Sequence, residues 1–550
     1  MSRALPFLLF AAAVTLGWNL TGYHLLDPDE GRNAEVAREM ARSHDYVIPH
    51  LDGLPYLDKP VVYFAASAAA MTVLGPTELA ARLPAYIATL ATVALLVAFA
   101  RRRWGPTAGW LAGLAFATMP LALAYAHTAI FDSTLTLCTT AAILWLFEGR
   151  TTLAWAALAV GALTKGPIAL ALPLVAMAAY AGATGTAFRR LVSVRALAVF
   201  AALSAPWVLA VTRQFPEFPA YVFALETLRR FTTPSFHRTA PVWYYVPIVA
   251  AGAFPWVVPA CGRLARWRAA WAGRREPGGA QEAVWLTAWV LAPLTLLTID
   301  QSKLPQYVLP VLPAFALAAA RHLTGDGPRT LWRTYAGLAT ALGVGLVAVP
   351  MSFLSVVLPP LSPGERLAIP PTALVLGLAL LVSAAGVALA ARRGDLPLGA
   401  LAYGAVVMVL PFGGARLLRA VGDDRSAARL AAAIEPAVRG GATVLGVAAY
   451  PPSLPFYLQR TIVVATASAR ELTSTYIAAY EVRYRALPDS PLAAAGSWRT
   501  ALVQCAVPTV FVTRALDRDA RAGLAHLPLL ADDGHYVAYG PCRRRVARAP

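Results

Sequence analysis

Acidic side chains gather in one segment, residues 27–63, directly after the first hydrophobic stretch. Eight of the chain's 29 carboxylates lie in this segment, and Asp29 and Glu30 form a pair with Arg32 close by. A carboxylate here can act as a general base or orient an acceptor hydroxyl or phosphate, and Asp29 is our candidate catalytic residue. The alternative is that the pair caps the helix that follows, where Asp is favoured, and each member can fill a different role.

Lysine is rare and its placement is selective. The chain has 47 lysines and arginines together, and the only lysines are Lys59, Lys165 and Lys303. Each lies within two residues of a proline, at an end of an apolar stretch that we assign to the outer side. A compact, rotatable ammonium suits a phosphate. The alternative is chance together with snorkelling at span ends, but chance would tend to scatter three lysines over both faces. We therefore predict that these lysines bind phosphate.

Further candidates lie near these lysines. Asp58 directly precedes the first of them and suits an ordinary ion pair. Asp132 lies at the outer start of an apolar span, where a carboxylate is a functional candidate by default. Tyr307 follows Lys303 by four residues, so a helix would place both on one face. Tyr56 is more typical of an interfacial aromatic belt than of a ligand site. The chain has no HExxH or CxxC motif, so we expect no required metal or cofactor.

The elements that must position these residues are membrane helices. The chain is 58% hydrophobic and 14% charged, with a mean hydropathy of +0.57, which is typical of a polytopic membrane protein. A helix that spans the bilayer needs roughly 20 apolar residues, and about thirteen such windows are present. The first window lacks a small-residue cleavage pattern after it, so we predict a retained anchor and not a cleaved signal peptide.

Arginines indicate the orientation of these helices. They cluster in alternate loops, for example at 101–103, 263–275 and 392–393, and such loops belong on the cytoplasmic side. The opposite loops carry most carboxylates of the membrane part. The net charge of +18 therefore reflects topology and an arginine-rich tail, and we do not expect nucleic-acid binding.

Composition also predicts two domains. We expect a transmembrane domain over 1–413, with outer loops at 23–83 and 213–242, and a small outer α/β domain over 414–550. A surface helix is predicted over 33–45, a second interfacial helix over 61–74, and strands near 443–450, 461–466, 508–516 and 535–540. Cys505 and Cys542 both lie in the outer domain, and they can form a disulfide if that compartment is oxidising.

Six motifs, taken together, resemble the lipid A aminoarabinose transferases, within the wider membrane glycosyltransferase family that includes protein O-mannosyltransferases. The motifs are PDEGRNAEVAREM (28–40), IPHLDGLPYLDKP (48–60), ARLP (81–84), TKGP (164–167), ETLRRF (226–231) and SKLPQYVLP (302–310). Their order and spacing match over most of the chain. Three departures are DKP in place of the usual EKP, Asn33 in place of a tyrosine, and Thr227 in place of a histidine.

The resemblance implies a GT-C fold in a bacterial inner membrane, with the active site and the C-terminal domain in the periplasm. It implies a sugar donor carried on a polyprenyl phosphate, transfer to lipid A or another periplasmic acceptor, contact with membrane lipids and a monomeric enzyme. It points to Asp29 as the essential acidic residue, to Lys59 and Arg230 for the carrier phosphate, and to Arg32, Asp58, Asp132, Lys165 and Tyr307 around the cavity. Residue types and resemblance together give the predicted site: Asp29 and Asp132 for catalysis, Lys59, Arg230, Lys165 and Lys303 for phosphate, and Glu30, Arg32, Tyr56, Asp58, Arg82, Glu226 and Tyr307 for the cavity.

The sequence leaves two alternatives open. Within the same reaction class, the sugar can be another polyprenyl-linked one, such as mannose or galacturonic acid, transferred to protein or glycan. In a different class, a lipid transporter or flippase would place charged or helix-breaking residues near the middle of the bilayer. The ionisable residues lie instead at span ends and in outer loops, which favours an enzyme that acts at one interface.

Overall fold

The structure is a computed structural model that describes residues 4–187, 190–229, 233, 239–276, 278–325, 329–348 and 362–542. It divides into two compact units. Met1–Leu20 and Arg82–Leu417 form the membrane unit, and Thr21–Ala81 and Leu418–Pro550 form the sheet unit. This division differs from the predicted domains, which placed the loop 23–83 with the transmembrane part. The acidic segment and the C-terminal segment fold together.

Helices dominate the described chain. In chain order they are α1 (Ala4–Gly17), α2 (Asp29–Ser43), α3 (Val62–Leu74), α4 (Glu78–Trp104), α5 (Pro106–Ala117), α6 (Pro120–Ala126), α7 (Asp132–Phe147), α8 (Thr151–Lys165), α9 (Ile168–Thr184), α10 (Val194–Gln214), α11 (Phe218–Ala220), α12 (Tyr245–Gly252), α13 (Val257–Leu264), α14 (Trp267–Ala270), α15 (Gly279–Ile299), α16 (Leu312–Gly325), α17 (Arg329–Ala348), α18 (Pro363–Arg393), α19 (Leu396–Met408), α20 (Leu410–Gly413), α21 (Ala415–Asp424), α22 (Ala428–Arg439), α23 (Leu454–Leu458), α24 (Thr475–Ala479), α25 (Glu481–Arg485), α26 (Ser497–Gln504) and α27 (Arg518–Leu524). A π-helix covers Tyr221–Arg229, and 3₁₀ helices cover Pro305–Val311 and Arg470–Leu472.

Six helical segments of the described chain are long and apolar enough to cross a membrane. They are Glu78–Trp104, Val194–Gln214, Gly279–Ile299, Pro305–Gly325, Pro363–Arg393 and Leu396–Gly413. Two bent pairs, α5 with α6 and α12 with α13–α14, raise the number to as many as eight. The chain is therefore polytopic, but the predicted count of thirteen spans is not confirmed. Several predicted windows correspond to shorter helices, such as α7 with 16 residues and α8 with 15.

Small and aromatic residues fill the core of the membrane unit. Helix α16 buries Ala314, Ala316 and Ala318 together with larger apolar neighbours, so it is covered on all sides. Small side chains let neighbouring helices approach closely in a membrane, where water supplies no driving force between helices. Trp256 is fully buried and donates its indole N–H to Thr118 Oγ1 at 2.7 Å, so its polar atom is satisfied inside the core.

The sheet unit contains a hairpin and a six-stranded sheet. The hairpin pairs β1 (His50–Leu51) with β2 (Leu54–Pro55). The sheet consists of β3 (Thr443–Val447), β4 (Val463–Thr466), β5 (Leu492–Ala494), β6 (Thr509–Arg514), β7 (Leu529–Asp532) and β8 (Tyr536–Tyr539), in the order β5-β4-β3-β6-β8-β7. Strands β3 to β6 run parallel to one another, and β8 is antiparallel to both β6 and β7. The four predicted strands are confirmed within this α/β arrangement.

A disulfide joins two chain segments of the sheet unit. Cys505 and Cys542 are bonded, with their Cα atoms 6.0 Å apart, and both side chains are buried. The sequence alone did not decide whether these two cysteines are bonded, and the structure contains the disulfide. Among the other cysteines, Cys138 is buried and Cys261 is exposed, and neither is in a disulfide.

Acidic side chains of the first loop accept hydrogen bonds from the C-terminal segment. Asp27 Oδ2 accepts a hydrogen bond from Ser453 Oγ at 2.8 Å. Asp52 lies in the hairpin turn with φ +56°, and its Oδ1 accepts from the Ile462 N–H at 2.8 Å. The lack of a side chain at Gly31 allows the same close approach, because a Cβ there would clash with the Asp27 carboxylate and with the backbone of Ser453. These contacts explain why loop and C-terminal segment form one unit.

Candidate functional site

The predicted catalytic carboxylate lies at the first residue of α2. Asp29 is 37% exposed and its Oδ1 accepts from Arg32 Nη2 at 2.5 Å, one helical turn later. Arg32 is buried, and its Nη1 donates to Thr473 Oγ1 at 3.1 Å and to the Thr473 carbonyl at 3.3 Å. Burial opposes the charged form of Arg32, but the Tyr56 phenol and the Asp29 carboxylate outweigh it and raise the pKa of the guanidinium. The arginine is therefore a permanent cation that orients Asp29.

Glu30 and Asp29 have different environments, in agreement with the prediction that each member of the pair can fill a different role. Glu30 is buried, and its Oε2 accepts from the Leu26 N–H at 3.0 Å. The residue before the helix is Pro28, which provides no side-chain cap. Glu30 therefore secures the turn that enters the helix, while Asp29 presents an accessible carboxylate. Glu30 was also predicted to line a cavity, and that role stays a prediction.

The observed hydrogen bonds of Asp58 and Lys59 differ from a simple ion pair between the two side chains. The Asp58 carboxylate accepts from the Ser474 hydroxyl and, at 3.0 Å, from the Tyr476 N–H at the start of α24. The Lys59 ammonium donates to the Asp58 carbonyl oxygen at 2.7 Å. The carboxylate thus fixes the backbone that carries the lysine. Tyr56 is buried with its ring 5.8 Å from that of Phe64, so it belongs to the packed interior of the unit and not to an interfacial belt.

Three acidic groups of the first loop are shifted towards their neutral forms. Burial raises the pKa of Asp27 to about 8 although Ser453 lowers it, and Oδ1 of this carboxylate is buried without a hydrogen-bond partner among the described residues. Burial also raises the pKa of Asp52 and of Glu39 well above their ordinary values, and in both cases Glu35 adds to the shift. Asp29 is the accessible carboxylate by comparison, which favours it over these three as the group that meets substrate.

A second group of predicted residues lies in the membrane unit. Asp132 begins α7 and Lys165 ends α8, and their side chains meet with Nζ 2.5 Å from Oδ1. The Lys165 ammonium also lies 4.6 Å from the centroid of the Tyr307 ring. Asp132 is buried and Lys165 is nearly so. A buried ion pair with a cation–π contact is an arrangement that holds its charges in one geometry.

The remaining predicted residues occupy separate positions. Lys303 precedes the 3₁₀ helix, is buried, and donates to the Asp300 carbonyl at 2.6 Å. The prediction that Tyr307 shares a helix face with Lys303 is wrong, because Lys303 is not helical and Tyr307 faces Lys165. Arg82 is fully buried and donates to the Leu20 carbonyl at 2.7 Å, so its observed hydrogen bond is structural.

Two predicted residues lie in the second outer loop. Glu226 lies in the π-helix that covers Tyr221–Arg229, and its side chain is half-buried. Arg230, predicted to bind phosphate, lies outside the described residues. The structure therefore shows contacts within two groups of predicted residues, Asp29 with Arg32 and Asp58 with Lys59 in the sheet unit, and Asp132, Lys165 and Tyr307 in the membrane unit. Within the described part of the chain, no set of three His, Cys, Asp or Glu side chains is arranged to hold a metal ion.

Sequence reasoning missed the C-terminal residues that support the first group. Thr473, Ser474 and Ser453 each contact a residue of the acidic segment, yet none was singled out. Ser474 carries a local signal, because its side chain also caps α24 by accepting from the Ile477 N–H. Nothing in the sequence around Thr473 indicates its arginine partner.

The chain is similar to known proteins in both sequence and structure. Residues 58–210 match the family described as dolichyl-phosphate-mannose-protein mannosyltransferase. The undecaprenyl phosphate-alpha-4-amino-4-deoxy-L-arabinose arabinosyl transferase of Edwardsiella ictaluri is 34% identical over 57% of this chain and 58% of its own length. The namesake from Pectobacterium carotovorum is 32% identical over 64% of this chain and 65% of its own length. The matched part thus spans less than two thirds of these relatives.

The similarity in structure extends over the full length. The crystal structure of ArnT from Cupriavidus metallidurans bound to undecaprenyl phosphate matches with a TM-score of 0.83 and 27% identity, and the match covers 100% of both chains. The apo structure of the same protein matches with a TM-score of 0.81 over 98% of both chains. These matches confirm the resemblance to the aminoarabinose transferases that the six motifs indicated.

Proposed function

We propose that this chain is an integral membrane glycosyltransferase that moves 4-amino-4-deoxy-L-arabinose from undecaprenyl phosphate to a phosphate of lipid A. The observation that carries the proposal is the full-length structural match to a transferase captured with undecaprenyl phosphate. The position of Asp29, accessible and oriented by a buried arginine, supports a reactive role for this residue.

In the proposed reaction, an oxygen of the acceptor phosphate bonds to C1 of the sugar. The bond between C1 and the oxygen of the carrier phosphate breaks, and polyprenyl phosphate leaves with the electron pair. Negative charge grows on the leaving phosphate, so nearby cations lower the barrier. Lys59 is our candidate for this role, with Arg230, Lys165 and Lys303 as the other predicted phosphate ligands. Asp29 orients the acceptor phosphate or accepts its proton when it carries one.

We further propose that the C-terminal segment and the reactive residues face the periplasm. The arginine clusters in alternate loops support this orientation. The disulfide between Cys505 and Cys542 also supports it, because such bonds persist in oxidising compartments. We propose a monomeric enzyme without a resident cofactor.

The decisive experiment is mass spectrometry of lipid A from a host that lacks its own aminoarabinose transferase, with and without this chain. A mass increase that matches one 4-amino-4-deoxyarabinose on a phosphate is expected, and it should be absent with Asp29→Asn. Unchanged lipid A from a host that expresses folded protein would overturn the proposed sugar or acceptor. Assays with polyprenyl-linked mannose or galacturonic acid then test the wider transferase class.

Transfer should also survive removal of metal ions. No metal motif was found in the sequence, so purified protein treated with EDTA is expected to keep its initial rate of transfer. Loss of activity that added divalent metal restores would contradict the proposal of a cofactor-free reaction.

A further inference from the structure

A cavity of about 440 Å³ lies in the membrane unit among the ends of four helices. Its wall includes Arg102 and Arg103 from the end of α4, Phe147 from the end of α7, Tyr180 from α9, and Gln281 from the first turn of α15. We call it the arginine cavity. Neither the proposed reaction nor the predicted site uses any of these residues.

Positive charge exceeds negative charge around the arginine cavity. Arg102 Nη2 lies 3.1 Å from Glu148 Oε1, and Arg150 Nε lies 3.4 Å from the other oxygen of the same carboxylate. Arg103 Nε lies 2.7 Å from Glu282 Oε1, and Arg321 Nε lies 3.7 Å from Glu282 Oε2. Four guanidinium groups thus share two carboxylates. Arg190, which also lines the cavity, adds one more positive charge.

These arginines are accessible to a ligand. The side chains of Arg102 and Arg103 are 50% and 47% exposed, whereas Glu282 is 7% exposed. Guanidinium groups bind phosphate oxygens with two parallel hydrogen bonds, and one carboxylate does not occupy all five donors of an arginine. The cavity therefore offers hydrogen-bond donors for an anion.

The cavity also has an aromatic wall, whose rings pack on one another. The Phe147 ring is stacked on Trp285 at 4.1 Å, and the Tyr180 ring packs edge-on against Phe147 at 5.7 Å. Phe99 packs on Trp285 at 5.6 Å. Met177 completes this wall. A ligand that meets both the arginines and the aromatic rings combines an anionic group with an apolar body, which is the chemistry of an anionic lipid.

The arginine cavity is distant from the predicted phosphate ligands of the same unit. Helix α7 begins with Asp132 and reaches the cavity with Phe147, and its 16 residues span about 24 Å at ~1.5 Å per residue. Helix α15 runs from the cavity towards Asp300 over 21 residues, or about 30 Å. The cavity and the Asp132–Lys165 pair therefore lie near opposite ends of helices about as long as the bilayer core is thick.

We propose that the arginine cavity binds the phosphodiester head group of an anionic membrane lipid, with its glycerol and acyl carbons against the aromatic wall. Basic pockets between helix ends on the arginine-rich side of a membrane protein attract anionic lipids, because the leaflet there carries negative surface charge. The ligand is held by charge and by an apolar contact, so both parts of the lipid are required.

The test measures lipid binding to the purified full-length chain in detergent by native mass spectrometry. Phosphatidylglycerol should bind at least tenfold more tightly than phosphatidylcholine, and Arg102→Ala/Arg190→Ala should remove this preference. Arg392→Ala/Arg393→Ala is the matched control, because these two arginines are exposed at the end of α18. That variant should bind phosphatidylglycerol within twofold of the unmodified chain.

A second variant separates charge from geometry. Arg102→Lys/Arg190→Lys keeps both charges but loses the paired donors, so it should show intermediate affinity. Equal lipid binding by the alanine variant and the unmodified chain would overturn the proposal. Displacement of the lipid by inorganic phosphate at equal concentration would overturn it as well, since it would indicate a site for small anions. Neither outcome bears on transfer of the sugar, which is measured separately.

Discussion

The two groups of predicted site residues are held in place by contacts of very different separation along the sequence. In the membrane unit, Asp132 and Lys165 are 33 positions apart and meet where two successive helices, α7 and α8, have their neighbouring ends. In the sheet unit, Asp58 contacts Ser474, which lies 416 positions later in the chain. The first pair depends on local helix geometry, while the second depends on a fold that joins distant parts of the sequence. Substitutions should therefore fail differently in the two units.

The largest effect is expected at the accessible carboxylate. Asp29→Asn keeps the size of the side chain but removes its charge, so the initial rate of sugar transfer should fall by about 10²–10⁴-fold, the usual contribution of a positioned acid or base. The protein should stay folded because Asp29 is the exposed member of its pair. Asp489→Asn, an exposed substitution in the same unit, serves as the control. Wild-type rates in purified Asp29→Asn would refute the catalytic assignment.

The next effect is expected at the phosphate ligand of the sheet unit. Lys59→Ala should lower transfer by about 10²–10³-fold, because a preorganised cation no longer meets the charge of the leaving phosphate. Cys505→Ser provides a comparison in the same unit, since it breaks the disulfide without touching the acidic segment. Equal losses of activity in the two variants would show that Lys59 acts through the fold of the unit and not on the carrier phosphate.

In the membrane unit, we expect a loss of stability in addition to the loss of a proposed phosphate ligand. Lys165→Ala removes the ammonium that faces the buried Asp132 carboxylate, and loss of one partner of a buried ion pair costs about 3–5 kcal/mol. Thermal unfolding in detergent should show the loss, and Asp132→Asn/Lys165→Met should recover most of it. If the double variant unfolds at the same temperature as Lys165→Ala, the loss of stability does not come from the unpaired Asp132 charge. The two groups would then not differ in the way described above.

The smallest effect concerns a buried acid of the sheet unit. Burial raises the pKa of Asp27 from 3.8 to about 8 in the folded state. Between these two values the folded state retains a proton that the unfolded state releases, so the contribution to stability is present at low pH and is lost as the pH rises towards 8. Asp27→Asn carries no such proton. Its melting temperature should exceed that of the unmodified chain by roughly 3 °C or more at pH 8, with a smaller difference at pH 5.

Asp489→Asn is again the control for this pH series, because its carboxylate is exposed. A difference between Asp27→Asn and the unmodified chain that stays constant with pH would mean that Asp27 does not titrate with folding. Glu39 and Asp52 are shifted in the same direction, so part of the slope should persist in Asp27→Asn.

Short-range patterns in the sequence predicted the local structure well. The surface helix predicted over 33–45 is α2, which starts four residues earlier, and the interfacial helix over 61–74 is α3. The four predicted strands, each a short apolar run, are confirmed as β3, β4, β6 and β8. Strands β5 and β7 were missed, because one has three residues with two alanines and the other ends in a polar residue.

Long-range contacts were the part that the sequence did not predict. The pairing of Lys165 with Asp132, and the contact of Tyr307 with Lys165, depend on how helices pack and not on residue spacing. The C-terminal partners of Arg32 and Asp58 lie more than 400 residues away, where a threonine or a serine carries no distinctive signal. The count of thirteen spans stays a prediction, because several apolar windows correspond to helices shorter than the roughly 20 residues that cross a bilayer.

The division of the sheet unit between two distant parts of the chain has a consequence for biosynthesis. Thr21–Ala81 leaves the ribosome early, but its partner begins at Leu418, after all of Arg82–Leu417 has been made. At about 5–20 residues per second this interval lasts roughly 20–70 s. During that time the apolar side chains of α2, such as Val36 and Met40, have no C-terminal segment to complete the unit that buries them. Early synthesis of the acidic segment therefore yields a region whose fold is completed only when the last quarter of the chain arrives.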